Sequence, residues 1–67
     1  MRCEYAGQVM AYRIATTSGV LECCSGNPCP YKAGDVILTL PNPLKRGHMC
    51  ESAVTRTIFD TSFKVIA

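Results

Sequence analysis

A chain of 67 residues with 48 % hydrophobic and 18 % charged residues belongs to the globular class and lies well away from disordered compositions. At this size folding buries only about 60 % of the unfolded surface, so residues 1–67 are read as a single small domain with a thin core. The net charge of +2 comes from seven Lys and Arg interspersed with five Asp and Glu. Nucleic-acid binders cluster a larger basic excess, and with Lys45-Arg46 as the sole basic pair a nucleic-acid partner is not expected.

No segment approaches the ~20 consecutive apolar residues of a membrane span, and no basic start followed by an apolar stretch marks a secretory leader. The expected setting is therefore cytoplasmic, without membrane association. Five cysteines are an odd number, and in a reducing compartment thiols are the expected state.

In chain order, Cys3 to Tyr5 reads as a short edge strand. From Gln8 to Ala15, Met10, Tyr12 and Ile14 alternate with Val9, Ala11 and Arg13, the period-two signature of a strand with one face in the core and the other partly covered. Thr16-Thr17-Ser18-Gly19 turns the chain. Val20 to Cys24 resumes an extended pattern, closed by the turn residues Ser25-Gly26-Asn27-Pro28.

Ala33-Gly34-Asp35 is a tight turn into Val36-Ile37-Leu38-Thr39-Leu40, whose unbroken apolar run predicts the most central strand; Pro41 ends it. Pro41 to Gly47, with two prolines and a glycine, predicts an exposed loop. A helical turn near His48 to Ala53 fits the pattern. Ala53 to Phe59 alternates as a strand, and Ser62 to Ile66 forms a last short one. The predicted fold is mainly β: a small barrel or strongly curved antiparallel sheet of about five short strands.

Three stretches, "VMAYRI" (Val9 to Ile14), "KAGDVILTL" (Lys32 to Leu40) and "FDTSF" (Phe59 to Phe63), resemble a pattern of short phage and prophage β-proteins. Ala11, Tyr12 and Ile14 match its first strand, Gly34 and Asp35 its turn, and Phe59, Ser62 and Phe63 its C-terminal element. Where that group carries Gly-Glu after the central strand, this chain reads Arg46-Gly47-His48 in a longer connection. The resemblance implies a small phage β-protein and no catalytic residues.

The stretch "CCSGNPCP" (Cys23 to Pro30) raises three chemical readings. Zinc would take Cys24, Cys29, His48 and Cys50, two ligand pairs from two loops. Against it, Pro28 and Pro30 flank Cys29, and His48-x-Cys50 on an extended segment falls short of a compact CxxC knuckle. A disulfide such as Cys24–Cys29 would be labile in a reducing cytosol. A nucleophilic pairing of Cys50 with His48 lacks a third, orienting group. The simpler reading makes Cys23, Cys3 and Cys50 small buried hydrophobes.

Tyr5, Tyr12, Tyr31, Phe59 and Phe63 would suit a stacking platform for single-stranded nucleic acid. Core packing is simpler for Phe59 and Phe63, and Tyr31, beside Lys32, is the aromatic expected at the surface. A thin-cored β domain with unpaired edges gains by covering them with a second polypeptide. The expected function is thus a non-enzymatic protein-interaction module. It is read as a phage or prophage accessory protein that self-associates as a homo-oligomer or docks on a host protein. Tyr31, Leu44, Lys45, Arg46 and His48 are its contact candidates, and no cofactor is expected. The alternative is a small zinc-stabilised or nucleic-acid-binding domain built on Cys24, Cys29, His48 and Cys50.

Overall fold

The computed structural model describes residues 1–22, 27–41 and 47–66. Its elements run β1 (Arg2–Tyr5), β2 (Gln8–Ile14), β3 (Gly19–Glu22), β4 (Pro28–Tyr31), β5 (Val36–Pro41), β6 (Met49–Val54), α1 (Arg56–Ser62) and β7 (Lys64–Ile66). Five strands form one antiparallel sheet in the order β6-β5-β2-β1-β7, and β3 pairs with β4 in a separate hairpin. The sheet is curved but does not close: β6 and β7 stay at opposite edges, so the mainly β expectation holds as an open sheet.

Two turns set the register. Ala6 (φ +53°) and Gly7 (φ +83°) join β1 to β2, and positive φ at both positions gives a two-residue hairpin loop the twist that flanking strands need. At the second turn Gly34 has φ +94°. Lys32 N–H donates to Asp35 Oδ2 and Asp35 N–H to the Lys32 carbonyl, both at 3.0 Å. The same turn is clasped to the end of β2: Gly34 N–H reaches the Ala15 carbonyl and Ala15 N–H the Asp35 carbonyl, each at 2.8 Å. The Gly-Asp pair thereby starts β5 alongside β2, with Ile14 opposite Val36.

Alternation along the strands sorts the apolar residues to two faces. On one face Cys3, Met10, Val36, Leu38 and Phe59 form the main core, with Tyr12, Ile14, Leu40, Val54 and Phe63 packed around them. On the other, Ile37 packs with Ala15 and Leu21, bordered by Cys29, Tyr31 and Ala53. α1 therefore covers one face, and the β3–β4 hairpin covers part of the other. Val36 and Ile37 are fully buried and Leu38 nearly so, each worth about 1.5–3 kcal/mol in transfer free energy. Burial from both sides explains the unbroken apolar run of β5. Its expected central place is corrected by the strand order: β2 holds the middle and β5 lies beside it.

Other sequence expectations are corrected too. The strand expected over Ala53 to Phe59 ends at Val54, and Arg56–Ser62 is a helix. Thr55 caps it, its Oγ1 accepting from Ile58 N–H at 3.2 Å, and Arg56 reaches Asp60 one turn on at 3.0 Å. Both are local helix signals. The helical turn expected near His48 to Ala53 is instead strand β6. β1 is not an edge, since it lies between β2 and β7. Pro28, read as the last residue of a turn, instead opens strand β4, and Cys29–Tyr31, to which the sequence reading gave no element, continue it: among the described residues β4 pairs only with β3, and at an outer edge the missing N–H of a proline costs least.

The four aromatic rings on the helix side form one run. Tyr12 lies 4.8 Å from Phe59, Phe59 5.4 Å from Phe63, and Phe63 4.8 Å from Tyr5, centroid to centroid. Phe59, 2 % exposed, sits where the helix meets the sheet, as its assignment to the core requires. Among the described residues no helix is long and apolar enough to cross a membrane.

Candidate interaction surface

Among the described residues, the β3–β4 hairpin packs on only part of its face of the sheet. Arg2, Ala11, Thr39 and Glu51 form one row across β1, β2, β5 and β6; two residues further along the same face Pro41 pairs with Met49, and Val9 lines one groove with them. Val9 is 47 % and Met49 58 % exposed. Together with Arg2, Ala11, Thr39 and Pro41 they line an open groove of about 400 Å³. Arg13 and Glu51 bond across this face at 3.2 Å with both side chains exposed, a pair worth at most about 1 kcal/mol.

On the helix side a second groove of about 380 Å³ opens where the short helix stops covering β5 and β6. Tyr5, Leu40, Val54, Ile58 and Phe63 are among its walls. Helix length sets this gap, because seven residues of α1 rise about 10 Å, shorter than the strands beneath.

The third exposed feature is the β7 edge. All three of its residues are exposed, with Val65 at 56 %, and among the described residues no strand pairs its outer side. At the opposite edge β6 is half-buried over Cys50–Val54 and touches both strands of the hairpin.

Leu44, Lys45 and Arg46 lie outside the described residues, as do Cys23 and Cys24. His48 is exposed immediately before β6, next in sequence to Met49 of the groove. Tyr31 is corrected: it is half-buried and packs against the Ala15, Leu21 and Ile37 cluster. Its hydroxyl stands 2.5 Å from where a Cβ on Gly19 would be, so a glycine in β3 is what admits the ring. Tyr31 is therefore held in packing on the hairpin side instead of standing free at the surface.

The expectation of reduced thiols is likewise corrected at Cys29 and Cys50, both of which are disulfide-bonded. A sulfur in a disulfide is not the thiolate that zinc requires. Alternation also puts Cys50, opposite Leu40, on the helix side, while Cys29 packs on the hairpin side. Among the described residues no three His, Cys, Asp or Glu side chains converge to hold a metal. Cys3 is a free, fully buried thiol, and desolvation raises its pKa above the ordinary 9.0; that is the opposite of an activated nucleophile.

Sequence reasoning missed the groove as a surface. Its signal was present in Val9, an apolar residue at the alternation positions shared with Ala11 and Arg13, opposite the core-facing Met10, Tyr12 and Ile14. No family model, curated protein or solved structure matches this chain.

Proposed function

We propose that this chain is a non-enzymatic protein-interaction module, a phage or prophage accessory protein whose docking surface is the groove lined by Val9, Pro41 and Met49. The observation that carries this reading is the exposed group Val9, Pro41 and Met49. Isolated exposed apolar residues are ordinary, whereas a group lining one groove rimmed by Arg2 and Thr39 is the form of a contact patch. His48 adjoins the groove through Met49 and supplies a polar rim. A sheet covered on one face by a helix and, among the described residues, on only part of the other gains from a second polypeptide.

The chemistry offered by this surface is apolar area, backbone groups and one arginine, which suits recognition better than acid–base or nucleophilic catalysis. The disulfide bonding of Cys29 and Cys50 supports an oxidising setting, such as a virion or cell surface, over the cytoplasm. The partner is a protein presenting an apolar segment to the groove.

The test is recovery of the tagged protein from its source cells, followed by native mass measurement. A stoichiometric companion is expected with the parent protein and is lost in the folded double variant Val9→Lys, Met49→Lys. A parent protein that keeps no companion, or a companion indifferent to both lysines, overturns the reading.

A further inference from the structure

The groove carries an inference that deepens the protein-binding reading and rests on it: we propose that its occupant is an extended acidic and apolar segment of the partner, with a carboxylate seated on Arg2 and an apolar side chain over Pro41 and Met49. The charges of this sheet face select that chemistry. Arg13 and Glu51 satisfy each other at 3.2 Å. Glu4 stands opposite Lys64 across the β1–β7 pairing. Arg2 is left over, exposed and, among the described residues, without an ion pair or a side-chain hydrogen bond. Of the residues that line the groove it alone is charged.

Any segment that dries this groove takes water from the Arg2 guanidinium, and a buried charge without a partner is costly. The occupant must therefore bring an acceptor to Arg2, and a neutral or cationic segment brings none of matching charge. A planar guanidinium meets a carboxylate through two parallel bonds. Glu4, two residues along the same face of β1, disfavours a second negative charge at that point, so a single carboxylate suits the site better than a doubly charged phosphate.

The register also sets the spacing within the occupant. Arg2 pairs with Ala11 and Ala11 with Thr39, so Arg2 and Thr39 stand on either side of a small alanine, with Val9, Pro41 and Met49 supplying the apolar remainder. Strands lie about 4.8 Å apart and rise about 3.4 Å per residue. Met49 on β6 is three strands across from Arg2 on β1 and two residues along from its row, a span of about 16 Å, and Pro41 is nearer at about 12 Å. An extended peptide at about 3.3 Å per residue therefore places its apolar side chain about four or five positions from the carboxylate.

Selection of displayed random peptides, about nine residues long so as to cross the groove, on the oxidised full chain reads the result. The parent is expected to enrich Asp or Glu with an apolar residue four or five positions away, and Arg2→Glu to enrich Lys or Arg in the place of that acid. In a synthetic copy of the strongest peptide, replacing the acid by its amide is expected to weaken binding about threefold to fivefold, the scale of one exposed charge pair. Enriched peptides without an acid overturn the proposal, as does the same acidic set on Arg2→Glu, and so does a parent that enriches nothing. Should Arg2→Glu fail to fold, salt decides with the parent: raising it from about 50 mM to 0.5 M is expected to weaken the acidic peptide more than its amide, and an equal response overturns the proposal. The double variant Val9→Ser, Met49→Ser, which removes apolar area without adding charge, separates the two readings. Peptides without an acid that are lost on it would sink the acidic occupant and leave the groove reading intact. Acidic peptides that need Arg2 but ignore both serines would overturn the groove reading and, with it, the apolar half of the occupant.

Discussion

Phe59 is the residue by which α1 closes the main core, and truncating it tests the architecture directly. It is buried between the rings of Tyr12 and Phe63 and over Cys3 and Met10. Phe→Ala in a core costs about 3–5 kcal/mol through lost transfer free energy and residual cavity. The whole domain, at roughly 0.05–0.15 kcal/mol per residue, holds on the order of 3–10 kcal/mol, so Phe59→Ala is expected to leave much of the population unfolded at 25 °C. Phe59→Leu keeps most of the volume and forfeits two ring pairs worth about 0.5–1.5 kcal/mol each, giving a loss of about 1–3 kcal/mol. With a urea dependence near 1 kcal/mol per molar for a protein this small, its midpoint falls by about 1–3 M. Urea titration followed by circular dichroism checks both, with Ile58→Ala, at a half-exposed position on the same helix, as a control expected to lose under about 1 kcal/mol. If Phe59→Ala unfolded within about 0.5 kcal/mol of the parent, the helix would not be the cover of this sheet and the two-faced core would be wrong.

Gly19→Ala is expected to destabilise by about 1–3 kcal/mol through overpacking, because its Cβ would lie 2.5 Å from Tyr31 Oη and 2.8 Å from Cζ; the loss should shrink in a Tyr31→Leu background, measured by the same titration. Ala6→Asn should raise stability by roughly 0.5–1 kcal/mol, since Ala6 holds φ +53° and asparagine tolerates that conformation in a two-residue hairpin loop. Reduction by dithiothreitol should lower stability by about 2–5 kcal/mol for each disulfide opened, read as a fall in thermal midpoint; an unchanged midpoint with all thiols titratable would refute a structural role for Cys29 and Cys50. Cys3, whose folded pKa is raised by desolvation, favours the native state fully below pH 9.0 and loses that contribution as pH climbs through its folded value. Stability should therefore fall above pH 9, less so in Cys3→Ala, and Cys3 should resist iodoacetamide until urea unfolds the chain.

Much of the fold is legible from side-chain periodicity. Met10, Tyr12 and Ile14 mark a core face by alternation, and Gly34-Asp35 marks a turn by its chemistry. The assignments that fail do so for identifiable reasons. Thr55 to Phe59 is rich in β-branched residues and reads as a strand, yet the Thr55 cap and the Arg56–Asp60 pair favour a helix, and an uncovered sheet face rewards one. Pro28 and Pro30 argue against a strand unless the strand has an outer edge free of partners, which local sequence does not reveal. Tyr31 looks exposed beside Lys32, and only the gap left by Gly19 draws its ring inward.

Alternation, turn chemistry and a short apolar chain were enough to dictate a small, mainly β domain, because these properties act between residues near one another in sequence. Which face each strand presents to a cover, that β1 lies inside the sheet while β7 stays at its margin, and that Val9, Pro41 and Met49 line one groove are matters of long-range register. So is the separation of Cys29 and Cys50 onto different layers. These depend on where distant segments meet, and the free energy that selects them is released only when the two faces are buried together.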